Sequence, residues 1–240
     1  MMRRLLPAAV AAVVILGGLA FAASRHPGAS GVSTAEPSPA ATASAGSQGQ
    51  HQVPQVSLAG LRWYDFYGVE LPISAAAGPR DVSGGLAVGF AHNPLGALLA
   101  AVNIGVRANA QWGPRIFTPV IRGQVTGPDA PALLADCQAA YDQASQSEGV
   151  TRGQSLGNVD VAEEAFRWIT YTPEAAIIDL VSASPGSQGT TVRATVQMEV
   201  IWAGEDWKVV APPGGDWGNS AAELSSLSGY TIFPGQGGGR

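Results

Sequence analysis

A serine between two glycines is the first candidate for chemistry in this chain of 240 residues. Ser155 stands in Gly153-Gln154-Ser155-Leu156-Gly157, which matches the G-x-S-x-G pattern of hydrolases whose nucleophilic serine sits on a sharp strand-to-helix turn. The segment before Ser155 is polar rather than strand-like, no clear helix follows it, and no histidine lies downstream to act as the base. The sequence therefore predicts a flexible surface loop here.

His92 and Asp179 form the one pair that we consider for acid–base chemistry. Of the three histidines, His26 and His51 fall in a polar N-terminal stretch, so only His92 remains for a folded site. Asp179 is the acid inside an otherwise apolar strand, and the two groups in one cavity would be able to transfer a proton. His92 also stands beside a helix cap, and Asp179 can face water from the outer side of its strand, so the structural interpretation of both is favoured.

The residues that usually hold cofactors are missing from the pattern. Cys137 is the single cysteine and lies on the apolar stripe of a predicted helix, so we expect a core residue. A lone histidine makes no metal cluster, and the pairs Gly84-Gly85 and Gly214-Gly215 lack the spacing of a phosphate loop. The net charge of −5, without a basic stripe, argues against nucleic acid. We therefore expect no cofactor, no metal, no nucleic-acid partner and no enzymatic activity.

Tryptophan is the residue type best suited to an interface in this chain, which has six of them. Most should lie in the core. Trp112 and Trp217 are each flanked by glycine or proline turn signals, so these two are the best candidates for exposure among the six. Aromatic anchors of this kind contribute much of the binding energy at protein interfaces. The sequence thus predicts Trp112 and Trp217 as interface residues.

Two helices are expected to position these residues. The first begins at the Asn93 cap with Pro94 in its first turn and ends before Gly113-Pro114; the second begins after Asp129. Their apolar stripes are Leu95, Leu98, Leu99, Val102 and Val106 in the first helix, and Leu133, Leu134, Cys137, Ala140, Tyr141 and Ala144 in the second. The first helix is nearly free of charge, so we expect it to be buried on most sides.

The pattern changes to a period of two after Gly157. The expected strands are residues 166–172, 175–183, 192–201 and 207–211, preceded near the start of the domain by an extended segment at residues 63–73. In residues 192–201, the side chains of Val192, Val196 and Val200 should face the helices, and polar side chains should face out. Helices followed by antiparallel strands predict an α+β domain in which a curved antiparallel sheet wraps the helices like a cone.

The N-terminus predicts a membrane anchor. Arg3 and Arg4 precede an uncharged run that begins at Leu5 and ends at Ala23, which indicates a hydrophobic helix with its N-terminus inside the cell. A cleaved signal peptide is the alternative, because an Ala-Phe-Ala motif ending at Ala22 fits a signal-peptidase site. The anchor is favoured, since the run exceeds the usual length of a signal core.

Composition divides the remainder of the chain. Residues 24–55 are rich in Ala, Ser, Gly and Pro and predict a disordered linker, whose span as a flexible coil would be roughly 30 Å. Residues 56–233 predict one α+β domain, and residues 234–240 a flexible tail. The predicted location is the cell membrane, crossed once, with the C-terminal domain outside the cytoplasm.

Two resemblances add to this interpretation. The order of helices and long strands, with a final hairpin closing on WKVV at residues 207–210, resembles the cone-shaped domains of the nuclear transport factor 2-like class. The stretches NPLGA at residues 93–97 and WKVVAPPGGDW at residues 207–217 resemble an uncharacterised family of membrane-anchored actinobacterial proteins, often carried by integrating plasmids and conjugative elements. In plan, the chain is also similar to inner-membrane assembly subunits of type IV secretion and conjugation machines.

These features predict a tethered extracytoplasmic assembly or interaction module. The resemblance implies a place in a conjugative transfer or secretion apparatus, with other membrane or secretion proteins, or further copies of the chain, as partners. One alternative is a cone-shaped small-molecule-binding domain or enzyme with a cavity site near His92 and Asp179. Another is a freely secreted protein, if the N-terminal segment is cleaved.

Overall fold

The computed structural model describes residues 53–235. The predicted anchor, nearly all of the predicted linker and residues 236–240 of the tail lie outside the described residues. Among residues 53–235, no helix combines the length and the apolar character needed to cross a membrane.

The described chain is an α+β structure of three helices and a nine-stranded sheet that curls into half a barrel. Five short 3-10 turns connect these elements. The helices are α1 Pro94–Arg107, α2 Pro114–Gln124 and α3 Ala130–Glu148. The strands are β1 Arg62–Phe66, β2 Val69–Ile73, β3 Val125–Thr126, β4 Ala162–Tyr171, β5 Ala175–Pro185, β6 Thr191–Ala203, β7 Asp206–Val210, β8 Ala221–Glu223 and β9 Thr231–Ile232.

The sheet is mostly antiparallel, in the order β1-β2-β4-β5-β6-β7-β3. Strands β4, β5 and β6 form its long centre, while β8 pairs with β6 and β9 with β4. The expectation of a purely antiparallel sheet is wrong at two places, because β2 pairs parallel with β4 and β3 pairs parallel with β7. Both parallel pairs join strands far apart in the chain, so no local turn signal announces them.

Helix α1 fills the concave side of the sheet. The Asn93 side chain accepts a hydrogen bond from the Gly96 amide at 2.8 Å, and Pro94 occupies the first turn, as expected. All twelve residues from Gly96 to Arg107 are buried, and they pack against β2, β5, β6 and β7. Five of these residues are glycine or alanine, so the helix axis can lie close to the strands. A Cβ at Gly96 would collide with the carbonyl of Ala91.

Strand β6 confirms the predicted alternation. Val196, Met198 and Val200 are buried against the core, whereas Gln197 and Glu199 are exposed. Val192 and Arg193, near the start of the strand, are both half-buried, so the contrast between the two faces is clear only from Val196 onward. The strand runs for 13 residues and pairs with β5 along almost its whole length, so it is the long, central strand that the pattern predicts.

Helix α2 was not predicted. Gly113-Pro114 is typical of a helix terminator, and it does follow the end of α1. The same pair also starts α2, because Gly113 has φ +81° and Pro114 takes the first helical position. Proline fits there because its missing N–H would be unsatisfied in any case. A second proline, Pro119, lies inside α2 and hides the helical pattern in the sequence. The predicted α3 is confirmed.

We expect Val196→Asp to lower the free energy of unfolding by about 3–5 kcal/mol, because an unpaired carboxylate would enter the core. Thr191→Asp, at the exposed start of the same strand, is the matched control and should change it by about 0.5 kcal/mol or less. Urea denaturation followed by tryptophan fluorescence measures both. Equal stability of the two variants would contradict the burial of the Val196 side chain in the core.

Candidate functional site

His92 lies between the N-terminus of α1 and the ends of two hairpins. Its ring stacks on Trp202 with 4.0 Å between the centroids and 8° between the planes. Its Nε2 lies 2.7 Å from the carbonyl of Pro173, and because a carbonyl only accepts, Nε2–H is the donor. The Oε1 atom of Glu174 is 3.7 Å from the same nitrogen. We call His92, Trp202 and Glu174 the aromatic patch.

One side of the aromatic patch packs against Trp207, and the other side is exposed to solvent. Trp207 meets both Trp202 and His92 edge-on and donates from Nε1 to the Ala91 carbonyl at 3.0 Å. The His92 and Glu174 side chains are 38% and 70% exposed. Among the described residues, the Nδ1 atom of His92 has no hydrogen-bond partner, whereas Nε2 is engaged by Pro173. A flat ring pair with a neighbouring carboxylate is suited to contact with a partner surface.

Asp179 belongs to a different part of the sheet. Its carboxylate accepts from Arg167 at 2.6 and 3.2 Å and from Gln197 at 3.3 Å. It alternates along β5 with Ile178 and Leu180, which face the core, so its side chain is on the opposite face. The structure therefore does not bring Asp179 and His92 together, because a strand sends neighbouring side chains to opposite faces. Asp179 thus lies on the outer side of its strand, as in the structural alternative, but it does not face water, because it is 6% exposed beneath Arg167 and Gln197.

The predicted exposure of Trp112 and Trp217 is wrong. They are 1% and 3% exposed, and Trp112 donates from Nε1 to the Val106 carbonyl. The turns that flank them are themselves packed against other segments, which the sequence does not reveal. The exposed aromatic near Trp112 is Tyr67, at the β1–β2 turn, which stacks on the Trp112 ring and has φ +54°.

The G-x-S-x-G segment is a packed loop. Ser155 donates from its hydroxyl to the Gln111 carbonyl at 3.1 Å, and the hydroxyl accepts from the Gly157 amide. The Tyr141 hydroxyl of α3 holds the same loop through the Gly153 amide and the Gln154 carbonyl. The prediction of a loop with a structural serine is confirmed, but the description of this loop as flexible is wrong, because these hydrogen bonds fasten it to Tyr141 and Gln111.

Cys137 is buried, as expected, and burial raises the pKa of its thiol to about 12. Its thiol is therefore protonated at neutral pH and a weak nucleophile. Among residues 53–235, no three His, Cys, Asp or Glu side chains are arranged to hold a metal ion.

A buried polar network that the sequence analysis missed joins α1 to β1. Arg107 is 1% exposed; its Nη2 donates to the Tyr64 hydroxyl at 2.7 Å and its Nη1 to the Asn103 carbonyl at 2.9 Å. Tyr64 in turn donates to the Asn103 side chain, and the guanidinium carbon lies 4.3 Å from the Phe66 ring centroid. Burial raises the pKa of Tyr64 and lowers that of Arg107. The sequence feature that could have revealed this network is the arginine in an otherwise uncharged helix.

Glu163 is the second buried ionisable group that the sequence analysis did not single out. It lies on β4 and is fully buried; Ser182 donates to its Oε1 at 3.0 Å, and Oε2 has no hydrogen-bond partner among the described residues. Burial, partly opposed by the Ser182 bond, raises the pKa of this carboxyl from 4.5 to about 7. The alternation around Glu163 is broken by a bulge, so its inward direction is not readable from the sequence.

A family model described as "Domain of unknown function (DUF8175)" matches residues 24–232. No curated protein and no solved structure matches the chain significantly.

We expect Glu163→Gln to remove a pH dependence of stability. The folded state keeps the Glu163 proton up to about pH 7, whereas the unfolded chain releases it above about 4.5, so the free energy of unfolding falls as pH rises between these values. At about 1.4 kcal/mol per pH unit, this loss is on the order of 3 kcal/mol. Urea denaturation at pH values from 4 to 8 should show that the free energy of unfolding falls less steeply with pH in the variant than in wild type.

Glu164→Gln is the control for this measurement, because Glu164 is the next residue on β4 and its carboxylate pairs with Arg193 at 2.6 Å instead of lying in the core. In this variant the free energy of unfolding should still fall with pH as it does in wild type, because Glu163 is unchanged. Wild type and Glu163→Gln with identical slopes would contradict a buried, uncompensated carboxyl at position 163.

Proposed function

The chain belongs to the DUF8175 family, a domain of unknown function, and we propose that it is a membrane-tethered, extracytoplasmic interaction module of a conjugative transfer or secretion apparatus. In this role the apolar run at residues 5–23 holds the chain in the membrane, residues 24–55 act as the spacer, and the α+β domain presents a contact surface to other proteins.

The filled interior of the sheet is the observation that carries this proposal. A cone that binds a small molecule keeps part of its concave side open, with polar groups converging on the space. Here the concave side is occupied by α1, in which Leu98, Leu99 and Val102 are fully buried. Surfaces, rather than a cavity around His92 and Asp179, are thus the natural place for recognition.

The N-terminal sequence supports the tether. Arg3 and Arg4 lie on the short side of the apolar run, which favours a cytoplasmic N-terminus. The following thirty or so residues have a composition that cannot bury a core, so they suit a spacer that holds the domain away from the membrane.

The finer fold assignment is part of the same proposal. A helix enclosed by a curled sheet is the arrangement of cone-shaped, nuclear transport factor 2-like domains, and the inner-membrane assembly subunits of type IV secretion machines combine such a domain with a single anchor. This likeness of plan supports an assembly role, although a fold by itself does not specify function.

The aromatic patch is the contact surface that we assign to this module, in place of Trp112 and Trp217. Trp202 and His92 offer a rigid, partly exposed ring pair whose position is set by Trp207 and Pro173. Rigid aromatic side chains lose little conformational entropy on binding, which is why they are frequent among interface hot spots.

Replacing Trp202 by alanine should reduce function about tenfold or more, because loss of an aromatic anchor often weakens association by ~2 kcal/mol. His92→Phe keeps the flat ring on Trp202 but removes both nitrogens, and with them the bond to Pro173, so it should retain most of the function. The measurement is transfer frequency of a conjugative element whose own copy of the gene is deleted and replaced by each variant at equal protein abundance.

An exported form without residues 1–23 should also lose function in this assay, since the tether sets the height of the surface. Asp179→Asn serves as a further comparison. Loss of transfer in His92→Phe and Asp179→Asn, together with full transfer by the anchorless form, would overturn the module in favour of an acid–base site.

A further inference from the structure

Strand β1 forms one edge of the sheet, and two of its five residues have their backbone groups turned outward. It pairs only with β2 among the described strands, through a two-residue turn at Tyr67 and Gly68. In such a hairpin the residues flanking the turn exchange hydrogen bonds, and bonded pairs then alternate along the strand. Phe66, Tyr64 and Arg62 thus use their backbone groups toward β2.

Trp63 and Asp65 consequently direct their N–H and C=O groups away from the sheet. Within residues 53–235, none of these four groups has a backbone partner. The opposite residue to Trp63 is Pro72, which has no N–H and fits this pattern. An edge strand of this kind is a template for pairing with another strand.

We propose that β1 pairs antiparallel with β1 of a second copy of this chain, about a two-fold axis at Tyr64, so that two sheets become continuous. This self-association goes beyond the proposed function: strand geometry carries it, and the proposed tether adds only the high local concentration of the copies. In this register Trp63 of each copy faces Asp65 of the other, and the outward N–H and C=O groups form four hydrogen bonds.

Charge selects this register over its neighbours. A shift that centres the axis on Asp65 would place two carboxylates directly opposite each other, which is destabilising. A shift that centres the two-fold axis on Trp63 would place the two Trp63 residues opposite each other. The outward groups of Asp65 would then no longer face those of Trp63. The axis at Tyr64 pairs all four outward groups and keeps the two Asp65 side chains apart.

A second copy fits this edge better than a chain of copies. The other edge of the sheet is β3, which has only two residues, so pairing of β1 with β3 would form few bonds. Pairing of identical edges closes after two copies, whereas pairing of unlike edges would continue as a filament. The geometry therefore favours a closed dimer.

The position of the preceding chain also favours a second copy. Residues 1–52 precede the described segment 53–61, which leads into β1, so the proposed tether joins the chain only a few residues before this edge. Two chains anchored in one membrane would present their β1 edges at the same height. Tethering raises the effective concentration of the partners, so a small interface of four backbone bonds can be populated there.

The test uses the full-length chain, labelled with one fluorophore per copy and reconstituted in lipid vesicles at a known protein-to-lipid ratio. Counting of photobleaching steps should find dimers for wild type and for Asp65→Ala, which keeps the backbone N–H. Asp65→Pro removes only the outward N–H, in a position where an edge strand tolerates proline, and should be monomeric. Both variants lose the Asp65 side-chain bond to the Gly68 amide, so they are matched.

A disulfide experiment tests the register and remains informative if Asp65→Pro does not fold, which circular dichroism would reveal. In the double variant Trp63→Cys, Asp65→Cys, facing residues of two copies would have Cα atoms about 5.5 Å apart. This lies within the roughly 4.4–6.8 Å that a disulfide spans, so oxidation should give a covalent dimer. Each single variant offsets its cysteines by two residues and should give none.

A wild-type chain that is monomeric at every density would overturn the proposal, as would a dimer that persists in folded Asp65→Pro. Dimers that form only after deletion of residues 236–240 would also overturn it, by showing that the chain's own tail covers the edge. A monomeric chain that still supports transfer would reject the dimer and leave the tethered module intact.

Discussion

The burial of α1 on every side is the constraint on which the remaining structure depends. An isolated helix of 14 residues with almost no charge has no face suited to water, so the chain must supply apolar surface all around it. The long strands β4, β5 and β6 do this by curling, and their inward side chains, such as Val196 and Val200, are the ones that contact the core. The Asn93 cap fixes where the helix begins, and Gly96 allows the preceding loop to approach it closely. The sheet must therefore be curved because the helix must be buried.

A charged residue within this helix needs special arrangement. A guanidinium removed from water loses its hydration and must recover hydrogen bonds from the protein. Arg107 does so from Tyr64 and Asn103, and its face packs on Phe66. Because Tyr64 and Phe66 belong to β1, the arginine fastens the edge strand to the helix. The Nε of Arg107 has no hydrogen-bond partner among the described residues. The attachment that gives its two Nη atoms their hydrogen bonds holds the inward side of β1 in place, while the backbone groups of Trp63 and Asp65 face outward.

A sheet filled by its own helix separates the interior from the surface in functional terms. The interior contains ionisable groups, notably Glu163 and Arg107, but they are enclosed and act on stability. The partly exposed groups lie at the rim, where His92 and Trp202 stack beside Glu174. Under the proposed function, recognition of other proteins would depend on the shape and chemistry of this rim and of the sheet edges. This is consistent with a role as a tethered module, whose output depends on where it is held and what it contacts.

The sequence alone determined the features that are encoded between near neighbours. The Asn93-Pro94 start of α1, the apolar stripe of α3 and the alternation of β6 all follow from residues within a few positions of one another, and each was predictable. Tertiary structure decided the features that depend on distant segments. Trp112 lies beside turn residues yet is buried, Asp179 and His92 lie on different parts of the sheet, and Gly113-Pro114 both ends one helix and starts another. Burial, strand partners and buried charge networks are set by which remote segments meet, and no local spacing of residue types carries that information.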